Sequence, residues 1–299
     1  LRIPRYLSIE RGQMTEPSGS AERLAPAEPS APPGFDRLTA ITFDFGNTLA
    51  PFPGWLLGGV VERMAGRLAG GAGCDPADFV RVWNEERSRQ IAEDLPEGRE
   101  ADMDARVIRV LARLRGCPGP IPPVRWDHAL AARYSDPAEV AAILDGYATA
   151  FVEITPVPPG VEPMLELLAR CYRLAVLSNW PLASAVDRFV EAAGWRRYFE
   201  AVVISQRARC IKPCPDIFRQ AAREMGIESG PGVMHVGDDL GADVAGAHGV
   251  GWRAAWVRIK PEDSTLPVAP ASGRERPELT LDLVTDLPRA LGIDSDAAS

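Results

Sequence analysis

At 299 residues with 46% hydrophobic content, the chain is long enough to bury the cores of about two domains. A formal net charge of −8 with no basic face excludes a general polyanion binder, so nucleic acid is not an expected partner. No run approaches the ~18 unbroken apolar residues of a membrane span and no secretory-signal core is present, so a cytoplasmic chain without a membrane partner is expected.

Residues 1–36 are rich in Pro, Ala, Ser and Glu without helical or alternating periodicity, which predicts a disordered arm. The chain opens on Leu1, and Met14 reads as a natural start. The stretch "AITFDFGNTLAPF" from Ala40 to Phe52 follows: an apolar run that ends in Asp44 and a Gly-Asn-Thr turn, the pattern of a strand delivering a carboxylate to a sheet edge. From 53 to 152 the pattern is helical throughout. "ADMDARVIRVLARLR" puts Met103, Val107, Val110, Leu111 and Leu114 on one face, and "PAEVAAILDGYATAFVE" does the same with Val140, Ile143, Leu144, Tyr147 and Phe151.

Four further strand-like runs come next, "YRLAVLSN" (172–179), "AVVISQ" (201–206), "GVMHVGDD" (232–239) and "WRAAWVR" (252–258), separated by helical patterns such as "GVEPMLELLARC" and "PCPDIFRQAAREMG". Strand and helix alternating in this way predict an α/β fold with a Rossmann-like, doubly wound parallel sheet. Residues 261–278 read as a solvated loop or linker before a short "LTLDLV" segment and a last helix. The predicted organisation is a core of 37–52 and 153–291 with an α-helical cap of 53–152 inserted into it.

Five cysteines, Cys74, Cys117, Cys171, Cys210 and Cys214, are odd in number and scattered, which points to reduced thiols. Cys210 and Cys214 lack the second ligand pair that a zinc site needs. Lysine occurs only at 212 and 260, against 31 arginines.

In an open α/β sheet, ligands collect beyond the carboxyl ends of the strands. Asp44 stands at the first such end, Ser178 and Asn179 at the second, and Asp238, Asp239 and Asp243 at the fourth, while Lys212 follows the third strand. "FDFGNTL", "VLSNW", "IKPCPDIF" and "HVGDDLGADVAGAHGVG", in this order, resemble the four motifs of the haloacid dehalogenase superfamily of hydrolases over about 37–291. An insert directly after the first motif resembles its subfamily with a helical cap.

The resemblance implies a Mg²⁺-dependent hydrolase acting on a small phosphorylated molecule, with Asp44 as the nucleophile that forms an aspartyl-phosphate. It implies Mg²⁺ held by Asp44, the Gly46 carbonyl and Asp238. Ser178 and the Asn179 amide would bond the transferred group, and Lys212 would offset its charge. Thr48, Asp239 and Asp243 would support these groups, the two aspartates by orienting metal-bound water or Lys212, with a helix N-cap as the competing reading for Asp243.

One position departs from the family's phosphatases, which usually carry a second aspartate two residues after the nucleophile to protonate the leaving alcohol. Here it is Gly46. General acid–base catalysis contributes ~10²–10⁴-fold, so slow turnover of alkyl phosphates is expected, with acyl and aryl phosphates least affected. His128 is the cap residue considered for a relocated acid. Glu85, Glu86, Arg87 and Arg89 are either substrate readers or a solvated helix face. His235 and His248 read as structural.

Three alternatives compete with this reading. A metal-independent 2-haloacid dehalogenase conflicts with the retained acids of "GDDLGAD". A phosphonate hydrolase needs a cap lysine, and 53–152 has none. A ligand-binding or regulatory protein with weak catalysis would gain phosphatase activity on Gly46→Asp. No sequence feature specifies an oligomeric state.

Overall fold

The computed structural model describes residues 34–68 and 75–293. Most of the arm read at 1–36, with Met14, and also Cys74, lie outside the described residues.

Among the described residues, six parallel strands form one sheet: β1 (Ala40–Phe43), β2 (Arg173–Ser178), β3 (Phe199–Ile204), β4 (Val233–Gly237), β5 (Arg253–Val257) and β6 (Leu279–Leu281). Their order is β3-β2-β1-β4-β5-β6. The four long runs read as strands all fall in this sheet, and the "LTLDLV" segment supplies its edge. Order reverses between β1 and β4, the switch point where the crevice of a doubly wound sheet opens.

Alternate residues of the strands feed two cores. Leu174 and Val176 of β2 join Ile41 and Phe43 of β1 on one face, while Ala175 and Leu177 join Ala40 on the other. Among the described residues, six α-helices lie between β1 and β2, the first five being α1 (Gly54–Leu68), α2 (Pro76–Asp94), α3 (Met103–Leu114), α4 (His128–Ala132) and α5 (Pro137–Ile154). Asp75, Asp102, Asp127 and Asp136 cap α2, α3, α4 and α5 by accepting bonds from early backbone N–H groups.

The first face is covered by α6 (Val161–Ala169) and α7 (Ala183–Ala192). The short α8 (Ser205–Ala208) follows β3, and α9 (Pro215–Met225) and α10 (Ala245–Gly249) cover the second face. The last helix, α11 (Leu287–Ala290), packs on α6. No helix among the described residues is long and apolar enough to cross a membrane.

Helices of the insert are joined to the sheet layer by an aromatic cluster. Phe45 and Phe52 follow β1, Phe151 comes from α5, Trp180 from the end of β2 and Phe189 from α7. Phe45 meets Phe189 at 5.3 Å between ring centroids, Phe52 meets Trp180 at 4.8 Å, and Phe151 contacts Phe45, Phe52, Trp180 and Phe189. Such edge-on and offset pairs add to the area they bury. Phe151 is fully buried at the centre of the cluster. Phe151→Ala is expected to cost about 3–5 kcal/mol of unfolding free energy, read by urea denaturation, because the cavity opens where two layers meet.

Candidate active site

Strand register brings the polar groups level. Phe43 of β1 pairs with Val176 of β2 and with Val236 of β4, so the next residues, Asp44, Leu177 and Gly237, lie side by side at the sheet's carboxyl edge. The Asp44 amide donates to the Val236 carbonyl at 2.8 Å, which holds the carboxylate at the switch point. Beyond it the chain turns sharply. Asn47 adopts a left-handed φ of 58°, a conformation that asparagine tolerates better than most residues, and its Oδ1 accepts from the Phe52 amide at 3.0 Å.

Lys212 is the centre of the arrangement. Its ammonium is buried, donating to Asp44 Oδ1 at 2.7 Å, to Asp243 Oδ1 at 2.7 Å and to the Leu177 carbonyl at 2.9 Å. Asn179 clamps the lysine's backbone from both sides: its Oδ1 accepts from the Lys212 amide at 2.7 Å and its Nδ2 donates to the Lys212 carbonyl at 3.2 Å. Gly237 makes room for Asp243, since a Cβ there would lie 2.1 Å from Asp243 Oδ2.

His235 lies inside β4, as a structural histidine would, but it belongs to the same network. Its Nδ1 is 2.8 Å from Thr42 Oγ1 and its Nε2 is 3.1 Å from Asp243 Oδ1. Burial and the neighbouring ammonium lower its pKa, which favours the neutral ring in this network.

The carboxylates are not equivalent. Burial would raise Asp243, but the Lys212 ammonium and His235 hold it below the ordinary carboxylate range. Burial raises Asp44 despite Lys212, and the charges of Asp243 and Asp238 add to the rise. Burial and the Asp243 charge likewise raise Asp238, against the pull of Lys260. Lys212 is held above its usual value: burial opposes its charge, and Asp243 and Asp44 prevail.

Asp44, Asp238 and Asp243 each offer an oxygen within 4.8 Å of the others. Crowded hard oxygen donors, two of them pushed toward protonation by burial and by their neighbours' charge, fit a small divalent cation, which would favour their ionised forms. Asp243 has both oxygens engaged, Oδ1 by Lys212 and His235 and Oδ2 by the Asp239 amide at 2.9 Å, so its place is to orient Lys212.

One expected contact is not made: Asp239 does not touch Lys212. Its Oδ1 accepts from the Gly241 and Ala242 amides as an N-cap, and its Oδ2 accepts from the Ala269 amide at 2.7 Å. The N-cap reading thus belongs to Asp239, and Asp243 is the lysine's partner.

Ser178 Oγ and Thr48 Oγ1 are buried beside these groups with no hydrogen-bond partner among the described residues. Asp44 Oδ2 also takes no hydrogen bond among them. Orphaned polar atoms of this kind are where a ligand's oxygens are expected.

His128 is exposed at the start of α4, which packs on α3, and takes no part in these contacts. The run Glu85, Glu86, Arg87 and Arg89 is not a free solvated face. Glu86 is buried against Trp126 Nε1 and Arg113, Arg89 bonds the Pro120 and Val124 carbonyls, and Arg87 donates to the Thr265 carbonyl at 2.8 Å. These side chains tie the helices to neighbouring loops.

The site also contains what sequence reasoning missed. Lys260 donates to Asp238 Oδ2 at 2.7 Å, and Ser264 Oγ accepts from Asn47 Nδ2 at 3.1 Å. The segment read as a solvated loop at 261–278 is mostly exposed, but Ser264, Leu266 and Ala269 are half-buried where it touches the site. Scarcity was the available signal, since both lysines of the chain stand here.

Residues 38–251 match the family model described as haloacid dehalogenase-like hydrolase. The chain is 26% identical over 215 residues to glyceraldehyde 3-phosphate phosphatase of Methanopyrus kandleri, covering 69% of this chain and 91% of that protein. It is 26% identical over 242 residues to ribulose-1,5-bisphosphate 5-phosphatase of Halopiger xanaduensis, covering 80% and 92%. Among solved structures, 2-haloacid dehalogenase from Pseudomonas syringae pv. Tomato superimposes with a TM-score of 0.59 at 24% identity, covering 85% of this chain and 98% of that one, a likeness of fold. With the fold, the strand-end groups and the family match in agreement, the chain belongs to the haloacid dehalogenase-like hydrolases.

Proposed function

We propose that the protein is a Mg²⁺-dependent phosphatase or phosphotransferase that acts on a small phosphorylated molecule through an aspartyl-phosphate at Asp44. The observation that carries this reading is the geometry of Asp44 itself. Oδ1 is bound by the Lys212 ammonium, which leaves Oδ2 as the attacking atom at the switch point.

Oδ2 of Asp44 bonds to phosphorus as the bond to the leaving oxygen breaks, and the departing group carries off that electron pair. Water then attacks the acyl phosphate, releasing inorganic phosphate and regenerating the carboxylate. Lys212 disperses charge on nucleophile and transferred group, and Ser178 Oγ, unpartnered and buried, supplies a hydroxyl to the phosphoryl oxygens together with the Asn179 amide. Asp44, Asp238 and the Gly46 carbonyl would hold Mg²⁺, which screens the nucleophile from the substrate's charge. Residues 37–52 and 153–291 act as the catalytic core, and 53–152 as a helical cap over it. The curated relatives are named as phosphatases of small sugar phosphates, which supports this substrate class.

The dehalogenase reading has only fold likeness behind it, and Asp238 is a carboxylate that halide displacement does not call for.

Phosphate release is expected from acetyl phosphate and p-nitrophenyl phosphate in the presence of Mg²⁺, to be lost with EDTA and in Asp44→Asn. Glycerol 3-phosphate should turn over more slowly by about 10²-fold or more, the usual worth of an acid at the leaving group. Equal rates on all three would refute the missing-acid account. Asp243→Ala should destabilise the fold by about 3–5 kcal/mol in urea denaturation, since it strips a buried ammonium of its main partner.

A further inference from the structure

The segment between β5 and β6 is seated on the site at several independent points. Lys260 binds Asp238, Ser264 meets Asn47, the Thr265 carbonyl accepts from Arg87, and the Ala269 amide donates to Asp239. Three glycines from separate parts of the chain admit it. A Cβ at Gly46 would lie 2.7 Å from Leu266 Cδ1, one at Gly54 would lie 2.5 Å from the Asp263 carbonyl oxygen, and one at Gly241 would lie 2.5 Å from the Pro270 carbonyl oxygen. None of the three has a positive φ. Backbone conformation does not require glycine at these positions; at Gly54 and Gly241 the backbone oxygens of this segment do, and at Gly46 the space is taken by the end of the Leu266 side chain, with Trp180 close behind.

The surroundings of Gly46 are apolar. Besides Leu266, the nearest atoms to a Cβ there are Trp180 Cζ3 at 3.2 Å and Phe52 Cδ2 at 3.8 Å. Where a side chain at position 46 would stand beside the nucleophile, the site has a leucine methyl delivered from more than 200 residues along the chain. Gly46 is the seat of that methyl.

Resting on the phosphoryl-transfer reading, we propose that Leu266 is the specificity-determining residue of the site. With Gly46 as its seat and Trp180 and Phe52 beside it, it presents an apolar wall to the leaving group. Such a wall neither donates a proton nor hydrogen-bonds an alkoxide. It favours a leaving group that departs as a stabilised anion and has apolar surface to bury, which is the chemistry of an aryl phosphate, ahead of a small acyl phosphate and far ahead of a polar alkyl phosphate.

The same geometry alters what Gly46→Asp does. A carboxylate placed there has to push the Leu266 side chain aside with Trp180 only 3.2 Å from its Cβ, so the substitution is expected to restore a working acid poorly on its own and better when Leu266 is shortened.

The test is a four-protein cycle of wild type, Gly46→Asp, Leu266→Ala and the double variant, read by thermal melting and by kcat/KM on p-nitrophenyl phosphate, acetyl phosphate and glycerol 3-phosphate. Leu266→Ala is expected to lower the aryl-to-acyl ratio about tenfold, the size of a lost hydrophobic pocket contact. Gly46→Asp should lower Tm by about 3–6 °C with little gain on glycerol 3-phosphate. The double variant should melt above Gly46→Asp and gain about 10²-fold on that alkyl ester. Additive melting shifts together with an unchanged aryl-to-acyl ratio in Leu266→Ala would overturn the proposal. Absence of phosphate release from all three substrates in wild type would instead remove the phosphoryl-transfer reading, and the specificity role with it, while the melting cycle would still decide whether Gly46 seats Leu266.

Discussion

Everything at this site depends on one buried ammonium. Lys212 is withdrawn from water, and a bare charge in that position would be prohibitively costly. It is tolerated because the sheet edge brings it three acceptors, a carboxylate after β1, a carbonyl near the end of β2 and a carboxylate after β4. Each acceptor comes from a different strand, so the lysine's charge is satisfied only when the strands are in register. The interaction that orders the site therefore also reports that the sheet has been assembled correctly, and Asn179, by clamping the lysine's backbone, keeps the ammonium from following any one partner away.

The electrostatics are deliberately incomplete. Asp44, Asp238 and Asp243 crowd three carboxylates into one rim, answered by the ammoniums of Lys212 and Lys260. Asp243 is satisfied and firmly ionised, whereas Asp44 and Asp238 remain pushed toward their protonated forms. That division separates a structural anion from two that still require positive charge. A cation held between those two would stabilise the ionised form of Asp44, the form that the proposed mechanism needs.

Much of this was legible in the sequence, for physical reasons that differ by residue. Asp44, Ser178 and Asp238 stand where apolar runs end, and a strand's end is the easiest boundary to see in a parallel sheet. Lys212 stood out as one of only two lysines. The roles of Asp239 and Asp243 were harder, because two acids near a helix start look alike until the turn geometry decides which caps the helix and which turns inward. The segment after β5 was illegible for a deeper reason. It has no periodicity, and its place is fixed by single contacts to Asn47, Arg87, Asp238 and Asp239, partners that are up to 217 residues away. Composition can mark such a stretch as irregular and solvated, but not which few of its residues touch a site.

Gly46 shows why those two kinds of information must be combined. Taken alone, it is a catalytic residue that is missing, and the natural inference is impaired chemistry. Placed beside Gly54 and Gly241, which are unrelated to catalysis in position but share its crowding by the same segment, it becomes one of three clearances for a single piece of chain. The loss of an acid and the arrival of a leucine are then one structural fact. A side chain at 46 and a methyl from 266 compete for one volume two residues after Asp44, so a proton donor there would come at the expense of the apolar contact that Leu266 makes.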